Sequence, residues 1–253
     1  MSVNEFTRHP IRFCGIDFWD ATADDLLREL RQRGGYVVVP AAPALATMRE
    51  DADYQRALVA ADFAILDSGY MAILMALLMR RPVRRISGLK LLQRLFVNDT
   101  NKWVRDIRIL WVSPSSEETQ RCSNYLRRSE FDLNKQTFYQ APFYAATSGF
   151  QDESLFQLIQ TTKPELIVIC IAGGKQEKLA YALRTEFGVT TPMLCTGAAM
   201  AFLSGGQVKI PTWADRCFLG WLFRIWREPR TFLPRYLRAT WSLPVMILTR
   251  PRG

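Results

Sequence analysis

The chain has a single histidine, His9, among 253 residues. That scarcity argues against a His-ligated metal site and against Ser-His or Cys-His catalysis. Cysteine is sparse and scattered: Cys14, Cys122, Cys170, Cys195 and Cys217 show no CxxC spacing. An odd, dispersed set reads as reduced thiols, not as a disulfide framework. Long apolar runs are missing too. A spanning helix needs about 18 or more apolar residues, whereas the best stretch, Met71 to Met79, is nine long and ends at Arg80 and Arg81. The first residues include Glu5, Arg8, His9 and Arg12 and have no apolar segment of the signal-peptide kind. The expected location is therefore cytoplasmic. Repeats and low-complexity tracts are also lacking.

Hydrophobic residues make up 49% and charged residues 23% of the chain, a globular composition with enough length to bury a full core. Short β-branched runs alternate with helical patterns. Tyr36–Val39, Phe63–Leu66, Ile107–Val112 and Glu165–Ile171 read as strands, and runs this uniformly apolar are buried on both faces of a parallel sheet. Thr22 and Asp25 resemble a capping box ahead of a helix bearing Leu26, Leu27 and Leu30. Further helices are expected over 51–61, 69–79, 88–97, 116–128, 151–161 and 175–187. The alternation predicts an α/β fold: a doubly wound, mostly parallel sheet of Rossmann-like halves that meet near 98–106. This domain is expected to span residues 1–212, followed by a helical appendage over 213–253.

The net charge of +9 is concentrated in that appendage, where residues 216–253 hold eight arginines, no lysine and one acid, Glu228. Residues 213–241 also hold eight aromatics, among them Trp213, Trp221, Trp226 and Trp241. Tryptophan interleaved with arginine suits a membrane interface, with rings at headgroup depth and guanidiniums on phosphates. The plainer alternative is a core-packing helix pair with solvated arginines. A nucleic-acid surface is disfavoured, because no nucleic-acid motif accompanies the charge.

Three segments, in order, resemble the WecG/TagA/CpsF family of glycosyltransferases. Ala60-Ala-Asp-Phe-Ala-Ile-Leu-Asp-Ser-Gly69 is similar to the family's SADLVxPDG strand and turn. Ile171-Ala-Gly-Gly-Lys-Gln-Glu177 is similar to VGLGSPKQE. The third runs from Thr196 to Arg230. Within it Gly197–Gly205 is similar to GASFDFLSG, Val208–Trp213 to VKRAPxW, and Gly220–Arg230 to GLEWLYRLxxEPxR. Arg85-Ile-Ser-Gly88 is a weaker counterpart of RVTG. The resemblance implies transfer of an N-acetylmannosamine-, mannosaminuronate- or glucose-type sugar from UDP to a polyprenyl-pyrophosphate-linked acceptor. It implies inversion at the sugar and work at the inner membrane face, with no metal or other cofactor. The partners implied are the UDP-sugar, the lipid-linked acceptor and an anionic membrane surface; a homo-oligomer is open.

The resemblance also assigns roles. Asp67 becomes the general base; read by itself, an acid at a strand end is as readily a turn or helix cap. Gly173, Gly174, Lys175, Gln176, Glu177, Gly197 and Arg85 fall to the nucleotide-sugar. Small residues between a strand and a helix let a ligand approach the backbone, though a plain turn has the same look. Arg224, Arg227 and Arg230 fall to the acceptor pyrophosphate or the departing UDP, whose oxygens match forked guanidinium donors. Several polar positions of the family are lost. Its TxN motif is replaced at Val39 and Ala41, the acid of GxD by Lys90, HGYF by Ala141–Tyr144, and the acid of FDFL by Ala201. These departures imply an altered donor sugar or, alternatively, a non-catalytic nucleotide-binding member of a polysaccharide assembly complex.

Overall fold

The computed structural model describes residues 11–80, 82–97, 103–145, 149–206 and 220–248. The expected junction near 98–106 and the appendage boundary near 212 fall partly or wholly outside these residues, as do the Val208–Trp213 match and the side chains of Arg224 and Arg227.

The strands are β1 (Ile11–Phe13), β2 (Ile16–Phe18), β3 (Tyr36–Val38), β4 (Phe63–Ala64), β5 (Ile109–Ser113), β6 (Gln136–Gln140), β7 (Leu166–Ile169) and β8 (Met193–Cys195). They form one sheet in the order β1-β2-β4-β3-β8-β7-β5-β6. Only β1–β2 pair antiparallel; the other pairs are parallel. Every residue of β3, β5, β7 and β8 is buried, as expected when helices cover both faces. One face carries α2 (Ala42–Ala46), α3 (Ala52–Val59), α4 (Gly69–Met79), α7 (Glu153–Thr162) and α8 (Lys175–Thr185). The other carries α1 (Ala23–Arg33), α5 (Gly88–Val97), α6 (Ser116–Arg128) and α9 (Ala199–Ser204). Strand residues alternate between the two cores: Leu110 and Val112 face the first, Ile109 and Trp111 the second.

Local signals explain several boundaries. Thr22 Oγ1 accepts the Asp25 N–H at 3.1 Å while the Asp25 carboxylate accepts the Thr22 N–H at 3.3 Å, so the capping box forms with aspartate. The β1–β2 hairpin turns on Cys14 and Gly15, both at positive φ (48° and 81°), the backbone of a two-residue type I′ turn. Across the hairpin, Arg12 grips Asp17 with bonds of 2.6 and 2.7 Å. The hairpin, α2, β6, β8 and α9 are not among the elements expected from sequence.

The C-terminal helices are α10 (Gly220–Arg227) and α11 (Pro229–Leu248). In α11, Ala239, Leu243 and Met246 belong to the first core, and Tyr236 is buried with them. They pack on α2. Leu233, Leu237, Trp241 and Val245 lie on the opposite side of the same helix and are exposed.

Candidate active site

Adjacent strands β3 and β8 send their chains to opposite faces, into α2 and α9 respectively. Where neighbouring connections part in this way, a crevice opens at the carboxyl ends of the strands. Asp67, Arg85, Gly173 to Glu177 and Gly197, singled out from sequence, gather there. Asp67 follows β4 and is half-buried. Its carboxylate accepts the Gly88 N–H at 3.2 Å, and its carbonyl oxygen accepts from Arg85 Nε at 2.6 Å. Ser68 caps α4 through the Met71 N–H. The cap is therefore the serine, and the neighbouring carboxylate is held in place by the start of α5.

Gly88 is the hinge of this arrangement. A Cβ there would lie 3.1 Å from the Thr196 carbonyl oxygen and 3.4 Å from Val39 Cγ1. A side chain there would press on a backbone carbonyl, and glycine lets α5 approach the ends of β3 and β8 this closely. The contact brings Asp67 next to the Thr196–Gly197 turn. Sequence reading has Gly88 at the end of one motif and the start of a helix, not as a point of close approach.

From Gly197 the connections run on to the other glycine turn. The Gly197 N–H donates to Gln176 Oε1 at 2.7 Å, and Gln176 Nε2 donates to Glu177 Oε1 at 3.0 Å. Glu177 Oε2 accepts the Gly174 N–H at 2.7 Å. Gln176 is 2% exposed and Glu177 fully buried. The sequence reading placed both side chains on a ligand. The structure turns them inward, where they join the turns after β7 and β8. Burial raises the Glu177 carboxyl above the ordinary carboxylate value, opposed by the bonds from Gln176 and Gly174.

The α8 turn offers a ligand less bare backbone than its glycines suggest. The N–H groups of Lys175 and Gln176 both donate to Ala172 O, at 3.1 and 3.2 Å. What faces outward is the space above Gly173, where a Cβ would meet no atom within 4 Å, together with Lys175. That ammonium is half-exposed and lies 4.0 Å from the centre of the Phe143 ring. A cation at the start of α8 adds to the positive end of its dipole, so the crevice favours an anion. Just beneath, Lys178 is buried and pairs with Asp51 at 2.5 Å. Sequence reading missed this pair, since a lysine in a polar run resembles a solvated one.

Arg230 opens α11 and is exposed. The helices that bear the arginines are tied to α4: the Trp221 ring lies 6.0 Å from Tyr70 and 5.6 Å from Tyr236. Among the described residues, no three His, Cys, Asp or Glu side chains gather as a metal site would need. An apolar cavity of about 290 Å³, lined in part by Leu27, Leu30, Trp103 and Leu194, lies at the amino ends of the strands. It is remote from the acid and glycine turns, so the site is placed at the carboxyl edge.

An open, mostly parallel sheet with an acid, two glycine turns and a lysine at its carboxyl edge defines an α/β protein with its candidate site in that crevice. Residues 11–252 match the model of the glycosyl transferase WecG/TagA/CpsF family, and the chain belongs to that family. Comparison with curated proteins gives no match. Family membership makes the protein a glycosyltransferase, with a sugar donor and an acceptor as substrates.

Proposed function

We propose that the protein is an inverting glycosyltransferase that moves an N-acetylmannosamine-, mannosaminuronate- or glucose-type sugar from UDP to a polyprenyl-pyrophosphate-linked acceptor during cell-surface polysaccharide synthesis. The observation that carries this reading is the position of Asp67. Its carboxylate stands at the carboxyl edge, fixed by the Gly88 N–H and linked through Thr196–Gly197 to the turn that bears Lys175. In the proposed step, Asp67 takes the proton of an acceptor hydroxyl as that oxygen attacks the anomeric carbon. The bond from that carbon to the UDP oxygen breaks on the opposite face, and UDP leaves with the electron pair. Lys175, the start of α8 and arginines from the C-terminal helices would balance the charge on the leaving diphosphate, with no metal or other cofactor.

The apolar end of β3 supports a second reading, that of a nucleotide binder without turnover. Val39 is buried against Gly88, where the family carries a hydroxyl. Asp67→Asn separates the two. It should leave UDP affinity and melting temperature near wild type while lowering turnover by about 10²- to 10⁴-fold. Calorimetry with UDP and a turnover assay on a polyprenyl-linked acceptor measure both. A variant within about tenfold of wild-type turnover removes Asp67 as the base, and a wild type that binds UDP but turns nothing over favours the binder.

No described helix is long and apolar enough to cross a membrane. The basic, aromatic C-terminal helices are proposed to dock on the anionic inner face of the cell membrane, which carries the acceptor.

A further inference from the structure

The large exposed apolar side chains are gathered in one region. Four of them, Ile73, Leu77, Leu78 and Met79, lie on α4, and α10 and α11 contribute six more. Among the described residues only Val59 and Phe143 lie elsewhere. Helix α4 has no charged residue from Gly69 to Met79, and a helix apolar all round belongs in a core or in an apolar solvent. Its Met71, Ala72 and Met75 face is in the core, but its C-terminal half is bare, with Leu77 72% exposed. The Tyr70–Trp221–Tyr236 ring contacts join the start of α4 to α10 and α11, so the three helices that carry these exposed side chains pack as one assembly.

Around it the charge has mainly one sign. Arg80 ends α4 in a left-handed conformation, and Arg230 and Arg235 are exposed on α11. Of the nearby acids, Glu50 is paired with Arg238, and Glu228 is exposed. Soluble monomers rarely leave this many large apolar side chains exposed on one group of helices. Apolar side chains edged by arginine match a bilayer surface, apolar inside and anionic at the headgroups.

We infer that the C-terminal half of α4 enters the membrane interface beside α10 and α11, so that the helix starting next to Asp67 is itself a membrane anchor. This rests on the membrane-docking part of the proposed function and extends it from the tail into the catalytic domain.

The test uses the full chain and vesicles of phosphatidylcholine with or without phosphatidylglycerol. Two variants are compared with wild type by vesicle sedimentation, UDP calorimetry and thermal melting: Leu77→Glu with Leu78→Glu, and Trp241→Glu. All these positions are exposed, so melting temperatures should stay near wild type. Each variant should bind phosphatidylglycerol vesicles roughly tenfold more weakly or worse, because a buried leucine or tryptophan face is replaced by charge. UDP affinity should not change. If only Trp241→Glu loses the vesicles, the α4 inference fails and docking through the tail stands. If neither loses them, both fail. If wild type ignores vesicles but self-associates, and the α4 variant is monomeric, the patch pairs copies of the chain and the inference is overturned.

Discussion

Gly173 and Gly174 are neighbours, yet a side chain would cost different things at each. Gly174 sits at φ +85°, so any substitution strains the turn. Gly173 does not share that constraint, and a Cβ on it would point into open space. That space lies in front of Lys175, where the donor diphosphate is proposed to sit. Gly173→Val should therefore leave the melting temperature within a degree or two while weakening UDP binding by roughly tenfold or more through loss of close approach. Calorimetry on the folded variant measures this, and unchanged affinity would move the nucleotide away from the turn. Gly174→Val is the poorer probe, since lost binding and lost structure would coincide. Lys175, beside these glycines, is a ligand contact on the same reading. Gln176 and Glu177, one and two residues further along the chain, are posts that hold the turn from within.

At the scale of elements, those posts make a joint between the turn after β7 and the turn after β8. Glu177 is the one acid in it, and its burial makes the joint sensitive to pH. The folded state raises its carboxyl above the ordinary value, so over a window upward from that value the folded protein holds a proton the unfolded chain has lost. Stability should consequently fall as pH rises through the window. Glu177→Gln removes the titration and should flatten that slope, at a lower overall stability by about 1–2 kcal/mol, because an amide can accept only one of the two bonds. Urea titrations of both proteins at several pH values give the two slopes, and equal slopes would place the titration elsewhere. Sequence made some elements readable and hid this joint for the same reason. Helices α4, α5 and α6 begin and end where expected, because Ser68 and Ser115 cap two of them and α5 opens at Gly88. Buried strands β3, β5 and β7 announce themselves by unbroken apolar runs, whereas buried β8 is only Met193-Leu-Cys195 and goes unread. The β1–β2 hairpin is three residues per strand, too short for a period to register. Lys175 to Lys178 is four polar residues in a row, the first three of which the resemblance assigns to the nucleotide-sugar, yet three of the four are buried and satisfied by backbone N–H groups, one another or Asp51.

At the scale of the whole molecule, α11 has two tasks on opposite faces. Its Tyr236, Ala239, Leu243 and Met246 face closes the core over α2, and Arg49 reaches the Met246 carbonyl at 3.4 Å. Its Leu233, Leu237, Trp241 and Val245 face is exposed. The sequence offered a membrane helix or a packing helix as alternatives. The packing face is present in the structure, and it sits on the same helix as the exposed aromatic and arginine side chains proposed to meet lipid. The two faces can be separated by single substitutions. Leu243 is fully buried, so Leu243→Ala leaves a cavity and should destabilise the fold by about 2–5 kcal/mol, without altering any exposed side chain. Trp241, two residues away, is 76% exposed, and Trp241→Ala should change stability by less than about 0.5 kcal/mol. Vesicle binding should respond in the opposite order, weakened by Trp241→Ala and retained by Leu243→Ala below its melting point. Urea unfolding and vesicle sedimentation on the two variants give four numbers. If the loss of vesicle binding followed the loss of stability, lipid would be sensing the fold as a whole, and the outer face of α11 would not be the contact.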